Sequence, residues 1–366
     1  MFTKHDELLC HQVVSTFDQV GTSAREWTER VWLNTFDIGG KFSASVGFGK
    51  YANRNVMDAF GCLVVDGKTQ YVVRASRELH SCPDEVRVGP FSYHIIESMK
   101  EIRFVLDENE YGLSYDIAFD ATMPPVEEPA QVTHTKGRLT ENIIRVQQVG
   151  RTSGWLKVDG ESHRIDKDTW VAQRDRSWGI RAASGIPETG VEPPQIPPGF
   201  VYNYICAQFT DWGIAYHLKE IWDGTPIVFG GEVFYPWGDD RKPLALAMVE
   251  HDLKLPEGIL DVQGGRIALT AVDGSKIDLI LRPLSRCHLK PGGYNHYRGF
   301  VHSLWMGPSY IDGFKLDLTD PEVLKGISYI ADTDCEFCCG DEIGYGVIEL
   351  LVIGDHPKYG HASLRY

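Results

Sequence analysis

The chain has 366 residues and a formal net charge of −15, from 36 Lys and Arg against 51 Asp and Glu. That balance excludes a nucleic-acid backbone or an anionic membrane surface as the expected partner, because both are held by clustered Lys and Arg. At 43% hydrophobic and 24% charged residues the composition is that of a folded globular protein, long enough for two domains.

In chain order, the first segment carries Asp6 and Glu7 where a secretory signal needs an unbroken apolar core, so no signal is expected. Leu8, Leu9, Val13, Phe17 and Val20 recur at helical spacing and predict a short N-terminal helix over residues 5–20. Beyond it the hydrophobic period becomes two. Asp-Gly pairs stand between strand-like runs at Asp66-Gly67, Asp159-Gly160, Asp223-Gly224 and Asp273-Gly274. Asp-Gly supplies the positive φ angles of a tight turn, so each pair predicts a β-hairpin, two in each half of the chain. Residues 123–129, rich in Pro and Glu, read as a loop. Residues 184–200 hold Pro187, Pro193, Pro194, Pro197 and Pro198, and proline cannot donate to a sheet ladder. The expected division is therefore a domain at 1–185, a linker at 186–199 and a domain at 200–366. Each half has the size of an antiparallel β-barrel with room for a ligand. The apolar run Val347–Ile353 contains Glu349 and falls far short of the ~20 residues that span a bilayer, so no membrane insertion is expected.

Eight scattered cysteines do not suggest a disulfide framework; they read as free thiols of a cytoplasmic protein. Cys335, Cys338 and Cys339 form a C-x-x-C-C cluster. A zinc ion would need a fourth ligand from Cys287, His288, His356 or His361, and a second well-spaced pair is missing. No metal and no cofactor are expected: the phosphate loop, the GxSxG elbow and HExxH are absent, and Gly47-Phe48-Gly49 lacks the rest of a dinucleotide fingerprint.

The densest polar segment is Gln173–Arg181, where Arg174, Asp175, Arg176 and Arg181 accompany Ser177 and Trp178. It reads either as a salt-bridged corner or as an acid–base site. If it is a strand, Asp175 shares a face with Gln173 and Ser177, and Trp178 lies with the flanking arginines. Further candidates are His217 beside Glu220, His251 between Glu250 and Asp252, and His296 and His302. Tyr345 and Glu349 would point the same way from one strand. Glu349 stands out because an acid inside an apolar strand needs a partner or a raised pKa.

The segments RASREL (74–79), VGPF (88–91), RVQQVGRTSGWLKVDG (145–160), RDRSWGIR (174–181), GYGVIE (344–349) and VIGDHPKYG (352–360) resemble bacterial proteins related to the carotenoid 1,2-hydratases. The resemblance covers nearly the whole chain and implies two tandem lipocalin-like (calycin) barrels. His296 and His302 match a two-histidine pattern of those proteins, although residues 297–301 depart from it. The expected function is a cofactor-independent lyase, hydratase or isomerase acting on a lipophilic small molecule, such as a terpenoid, polyketide or aromatic compound. Asp175, Arg174, Glu349, His251 and His296 are the catalytic candidates, and Trp178, Tyr345, His217 and His302 the substrate-binding ones. The alternative is a non-catalytic carrier of a hydrophobic ligand. Convergence of buried polar side chains in the main pocket would separate the two.

Overall fold

Alternation along the strands decides the architecture. In Phe42–Tyr51, the side chains of Phe42, Ala44, Val46 and Phe48 join one apolar cluster, while Ser43 and Ser45 lie on the opposite face. The computed structural model describes residues 4–79, 85–135, 137–181, 199–256 and 258–362, whose antiparallel strands form two curled sheets. The first runs from Thr69–Glu78 through Val56–Val65, Phe42–Tyr51, Trp27–Asp37, Trp170–Ile180 and Arg138–Val158 to Leu113–Ala121, and on to shorter strands that end at Arg87–Val88. Its interior is filled by Leu33, Ala59, Phe91, Phe104, Phe119 and Trp170. The second begins at Phe200–Gln208 and ends at Glu342–His356, which pairs back onto Phe200–Gln208 and closes the ring. Ile205, Tyr216, Leu269, Phe337 and Ile348 fill it. The expected all-β pair of barrels is the fold observed.

The barrels meet through their outer faces, where Trp32, Phe60, Cys62 and Val72 of the first pack with Tyr204, Cys206, Cys287 and Val347 of the second. One strand crosses the expected division: Ser309–Asp317 pairs with Thr69–Glu78 at the edge of the first sheet. Most of the linker, residues 186–198, lies outside the described residues.

All four Asp-Gly pairs close hairpins. At Asp66-Gly67 and Asp159-Gly160 both residues have positive φ, as a type I′ turn requires. At Asp223-Gly224 and Asp273-Gly274 only the glycine does, and the turns are longer. Gly47 is explained by packing, since a Cβ there would lie 2.6 Å from the Phe60 ring and 2.8 Å from the Val31 carbonyl oxygen.

The helix expected over residues 5–20 contracts to one 3-10 turn, Lys4–Glu7. Leu8, Leu9 and Val13 are exposed, so most of the apolar stripe finds no surface to cover, and a helix without such a surface is marginal. The one α-helix among the described residues is Pro321–Ile327, capped by the Asp320 side chain accepting from the Glu322 N–H. No helix among them is long and apolar enough to cross a membrane.

Candidate active site between the barrels

A cavity of about 380 Å³ opens where the two barrel walls face each other. The first barrel contributes Arg30 and Trp32 from Trp27–Asp37, Arg145 from Arg138–Val158, and Asp175 and Ser177 from Trp170–Ile180. From the second come Tyr202 and Tyr204 of Phe200–Gln208, His217 and Lys219 of Gly213–Glu220, and Glu349 of Glu342–His356. These residues alternate with the core-facing ones on the same strands: Ala172 faces the first interior, Ile205 and Ile348 the second. Period two thus delivers an apolar filling inwards and a polar lining outwards from the same sequence. The stretch 123–129, expected as a loop, forms a two-residue strand at Val126–Glu127 and places Glu128 in the cavity wall.

Glu128 is fixed from three sides. Arg145 donates to it at 2.7 Å, Gln147 at 2.7 Å, and the His217 Nδ1 lies 3.1 Å away. Burial pushes this carboxyl up, but Arg145, His217 and the hydrogen bonds outweigh it and bring it down to about 2. Burial holds His217 below the usual histidine range against the pull of Glu128, which leaves the ring neutral at pH 7.

Asp175 and Glu349 behave differently. Burial raises Asp175, opposed by Arg145 at 3.4 Å and by Arg30 and Arg181. Burial takes Glu349 up to about 7, against a hydrogen bond donated by the Tyr202 hydroxyl at 2.9 Å. Behind Glu349 lies Asp332, fully buried and raised well above the usual carboxylate range by that burial and by the neighbouring Glu349 charge. The Asp332 Oδ2 accepts from the Trp32 indole N–H at 3.1 Å and from Ser45. Its Oδ1 has no hydrogen-bond partner among the described residues, and its burial favours the protonated form. A second buried acid, Asp334, accepts from Asn34 at 3.0 Å and is raised by burial to about 8.

Asp175, Glu349 and His217 are thus brought together. Asp175 shares its face with Ser177, as alternation requires, and the flanking arginines face the other way. Arg174 is buried against the first barrel's filling, hydrogen-bonded to Gln148 at 2.9 Å and 5.7 Å from the Phe119 ring. Trp178 lies with Arg176, 5.5 Å from its guanidinium. Tyr345 stands outside the cavity lining, near Glu336 and Arg151. His302 is buried behind the wall, with Tyr294 and Phe60 against its ring and Asp58 3.4 Å from its Nδ1; burial lowers it to about 4. His296 is exposed and does not line the cavity. His251 belongs to a separate cluster at the second barrel, 3.0 Å from Glu220 and hydrogen-bonded to Tyr359, with the His356 Nε2 3.5 Å from the same carboxylate. The cysteine trio is split by alternation: Cys335 and Cys339 pack with the second barrel's interior and Cys338 points away.

Arg145, Glu128 and Asp332 were not singled out from the sequence. Arg145 and Glu128 lie in segments without a distinguishing pattern. The signal for Asp332 and Asp334 was acids alternating with buried positions in ADTDCEF, overshadowed by the cysteines that follow.

The chain belongs to a family of unknown function, DUF8625, whose model matches residues 2–362. No curated protein matches its sequence. Among solved structures it is similar to a protein of Nitrosomonas europaea provisionally assigned as AttH, at 12% identity and a TM-score of 0.55, covering 91% of this chain and 92% of that one. It is also similar to CghA, at 11% identity and a TM-score of 0.52, covering 90% of this chain and 89% of that one. At such identities the likeness is one of fold, and it agrees with the double barrel the sequence resemblance implied.

Proposed function

We propose that the inter-barrel cavity is the active site of a lyase, hydratase or isomerase that moves protons on a small molecule with side chains alone. The observation that carries this reading is the pair Asp175 and Glu349, two buried carboxyls that line one cavity and are both raised by burial, Glu349 to about 7. Glu349, near 7, holds a proton at neutral pH about half the time and suits a general acid. Asp175 is raised by burial as well, but Arg145, Arg30 and Arg181 oppose that rise, and we assign it the part of the base. In the addition of water to a double bond, Glu349 would give its proton to one carbon. Asp175 would take a proton from the water that attacks the other. Elimination interchanges the roles, and isomerisation needs the same two transfers without water. Tyr202, Tyr204 and Tyr294 offer flat surfaces to an unsaturated or aromatic substrate body.

A carrier for a hydrophobic ligand needs apolar walls and gains nothing from buried ionisable groups. Their convergence here favours the enzyme. The test is solvent-proton exchange: candidate unsaturated substrates are incubated with the protein in D2O and followed by NMR. Deuterium uptake that disappears in both Glu349→Gln and Asp175→Asn supports the reading. Uptake unchanged in the two variants sinks it.

A further inference from the structure

The cavity carries four cations, and they are not equally occupied. Arg145 is committed to Glu128 at 2.7 Å and lies 3.4 Å from Asp175. Lys219 is bonded to Gln131 and lies 3.3 Å from Glu141. The guanidiniums of Arg30 and Arg181 have neither an ion pair nor a hydrogen bond among the described residues. Arg30 rests 4.8 Å from the Tyr294 ring centre, and Arg181 is placed on the same wall by the alternation that runs Asp175, Ser177, Arg181. Arg181 is lowered by burial first and then by the like charges of Arg145 and Arg30, so these groups repel one another across a shared space. Burial disfavours both unbonded guanidiniums: nearby Tyr51, Tyr294, Asp58 and Asp175 outweigh it at Arg30, whereas at Arg181 burial and like charge prevail in the empty protein. They become favourable once an anion lies between them, and a planar carboxylate matches the guanidinium fork.

We infer that Arg30 and Arg181 form a seat for a carboxylate on the substrate, which makes that substrate an unsaturated or aromatic carboxylic acid rather than a neutral lipophile. The inference rests on the acid–base reading for its reacting end, but the seat itself needs only binding. The acid group lies between the two arginines, the apolar body lies along Tyr294 and Tyr202, and the unsaturated carbons face Glu349 and Asp175. A substrate anchored at one end by a charged pair is also held in register with its proton donor, which is how positioning contributes to rate.

The test uses the full chain and four probes by isothermal titration: trans-cinnamate, 4-phenylbutyrate, methyl cinnamate and phenyl phosphate. The expected result is that the two carboxylates bind and the methyl ester binds at least ~10-fold more weakly. Arg30→Gln and Arg181→Gln should each weaken the carboxylates by ~10-fold or more and leave the ester unchanged. Phenyl phosphate binding as tightly as the carboxylates would overturn the commitment to a carboxylate. Equal affinity for acid and ester, no binding of any acid at millimolar concentration, or equal losses for acid and ester in the variants would overturn the seat altogether. A measurement on ligand-free protein keeps the variants informative: relief of like-charge repulsion should raise the Tm of Arg181→Gln above the parent, and a lowered Tm counts against the seat. Glu349→Gln should retain carboxylate binding. Intact binding with no proton exchange in any substrate would therefore reject the acid–base reading while leaving the anion seat standing.

Discussion

Glu349 and Asp332 stand opposite each other one step beyond the last paired residues of their two strands, Thr333 and Ile348, and burial raises both carboxyls. Two ionised carboxylates that close repel, so the more deeply buried one keeps its proton and donates to the other. Asp332 is in this sense a positioning residue for Glu349. It fixes the carboxyl from behind while Tyr202 fixes it from the side.

Activity in the direction of addition requires protonated Glu349, so it should fall as pH rises through about 7. Glu349→Gln should abolish this limb and reduce turnover by ~10²–10⁴-fold, the usual contribution of a positioned acid, with little change in binding. Asp332→Asn keeps a donor to Glu349 and should preserve the limb. Asp332→Leu removes the donor that stabilises ionised Glu349 and should move the limb to higher pH. A pH–rate profile for the three variants checks the set, and an unmoved limb in Asp332→Leu counts against that donor.

Asp334 gives a prediction about stability alone. Its folded value of about 8 lies above the unfolded one, so the stability it permits is fully present below about pH 4 and is lost as pH rises through 8. Asp334→Asn cannot ionise and keeps an acceptor for Asn34. Its stability relative to the parent should therefore improve steadily between pH 5 and 8, by about 1.4 kcal/mol or more. Urea unfolding at several pH values measures the difference; a gap independent of pH would contradict it.

Breaking the Arg145–Glu128 pair from one side should be costly. Arg145→Met leaves Glu128 buried beside a neutral histidine, and the expected loss is about 3–5 kcal/mol. The double variant Arg145→Met/Glu128→Met removes both charges and should recover most of it. Glu128 has a depressed folded value, so the stability it contributes is present above the unfolded carboxyl value and is lost as pH falls towards 2. In Arg145→Met the folded value rises towards or past the unfolded one, so that acid loss should shrink or reverse, which thermal melts between pH 3 and 7 would reveal.

Gly47→Ala tests the packing explanation of the glycine. The added methyl meets the Phe60 ring and the Val31 carbonyl, and overpacking of this kind destabilises by about 1–3 kcal/mol. A neutral effect in denaturant unfolding would mean the strand yields more easily than the geometry implies.

Much of the fold was legible because it is local. Alternation and the Asp-Gly turns read directly as hairpins, and the face on which Asp175 lies followed from counting by two. The failures have physical causes. Leu8, Leu9 and Val13 carry a helical period, but helix formation needs a surface to bury it against, and that information lies elsewhere in the chain. His296, His302 and His251 were plausible by residue type, yet a histidine's role depends on neighbours brought from other strands. The cavity joins residues as distant as Arg30 and Glu349, and no periodicity encodes such a meeting. The buried acid Asp332 could have been found by asking why acids alternate along Ala331–Cys339, a question close to the one that singled out Glu349.

The return of Ser309–Asp317 to the first sheet bears on how the protein is made. The ribosome delivers the first barrel's strands early, but the partner for Thr69–Glu78 emerges only after most of the second barrel has been synthesised. Until then one full-length strand shows its hydrogen-bonding edge to solvent, an invitation to pair with another nascent chain. The two halves are therefore not severable. A chain cut in the proline-rich region would leave a sticky first half and a second half with a strand it cannot use. The inter-barrel cavity, whose walls come from both, is complete only once Glu342–His356 has joined the second barrel.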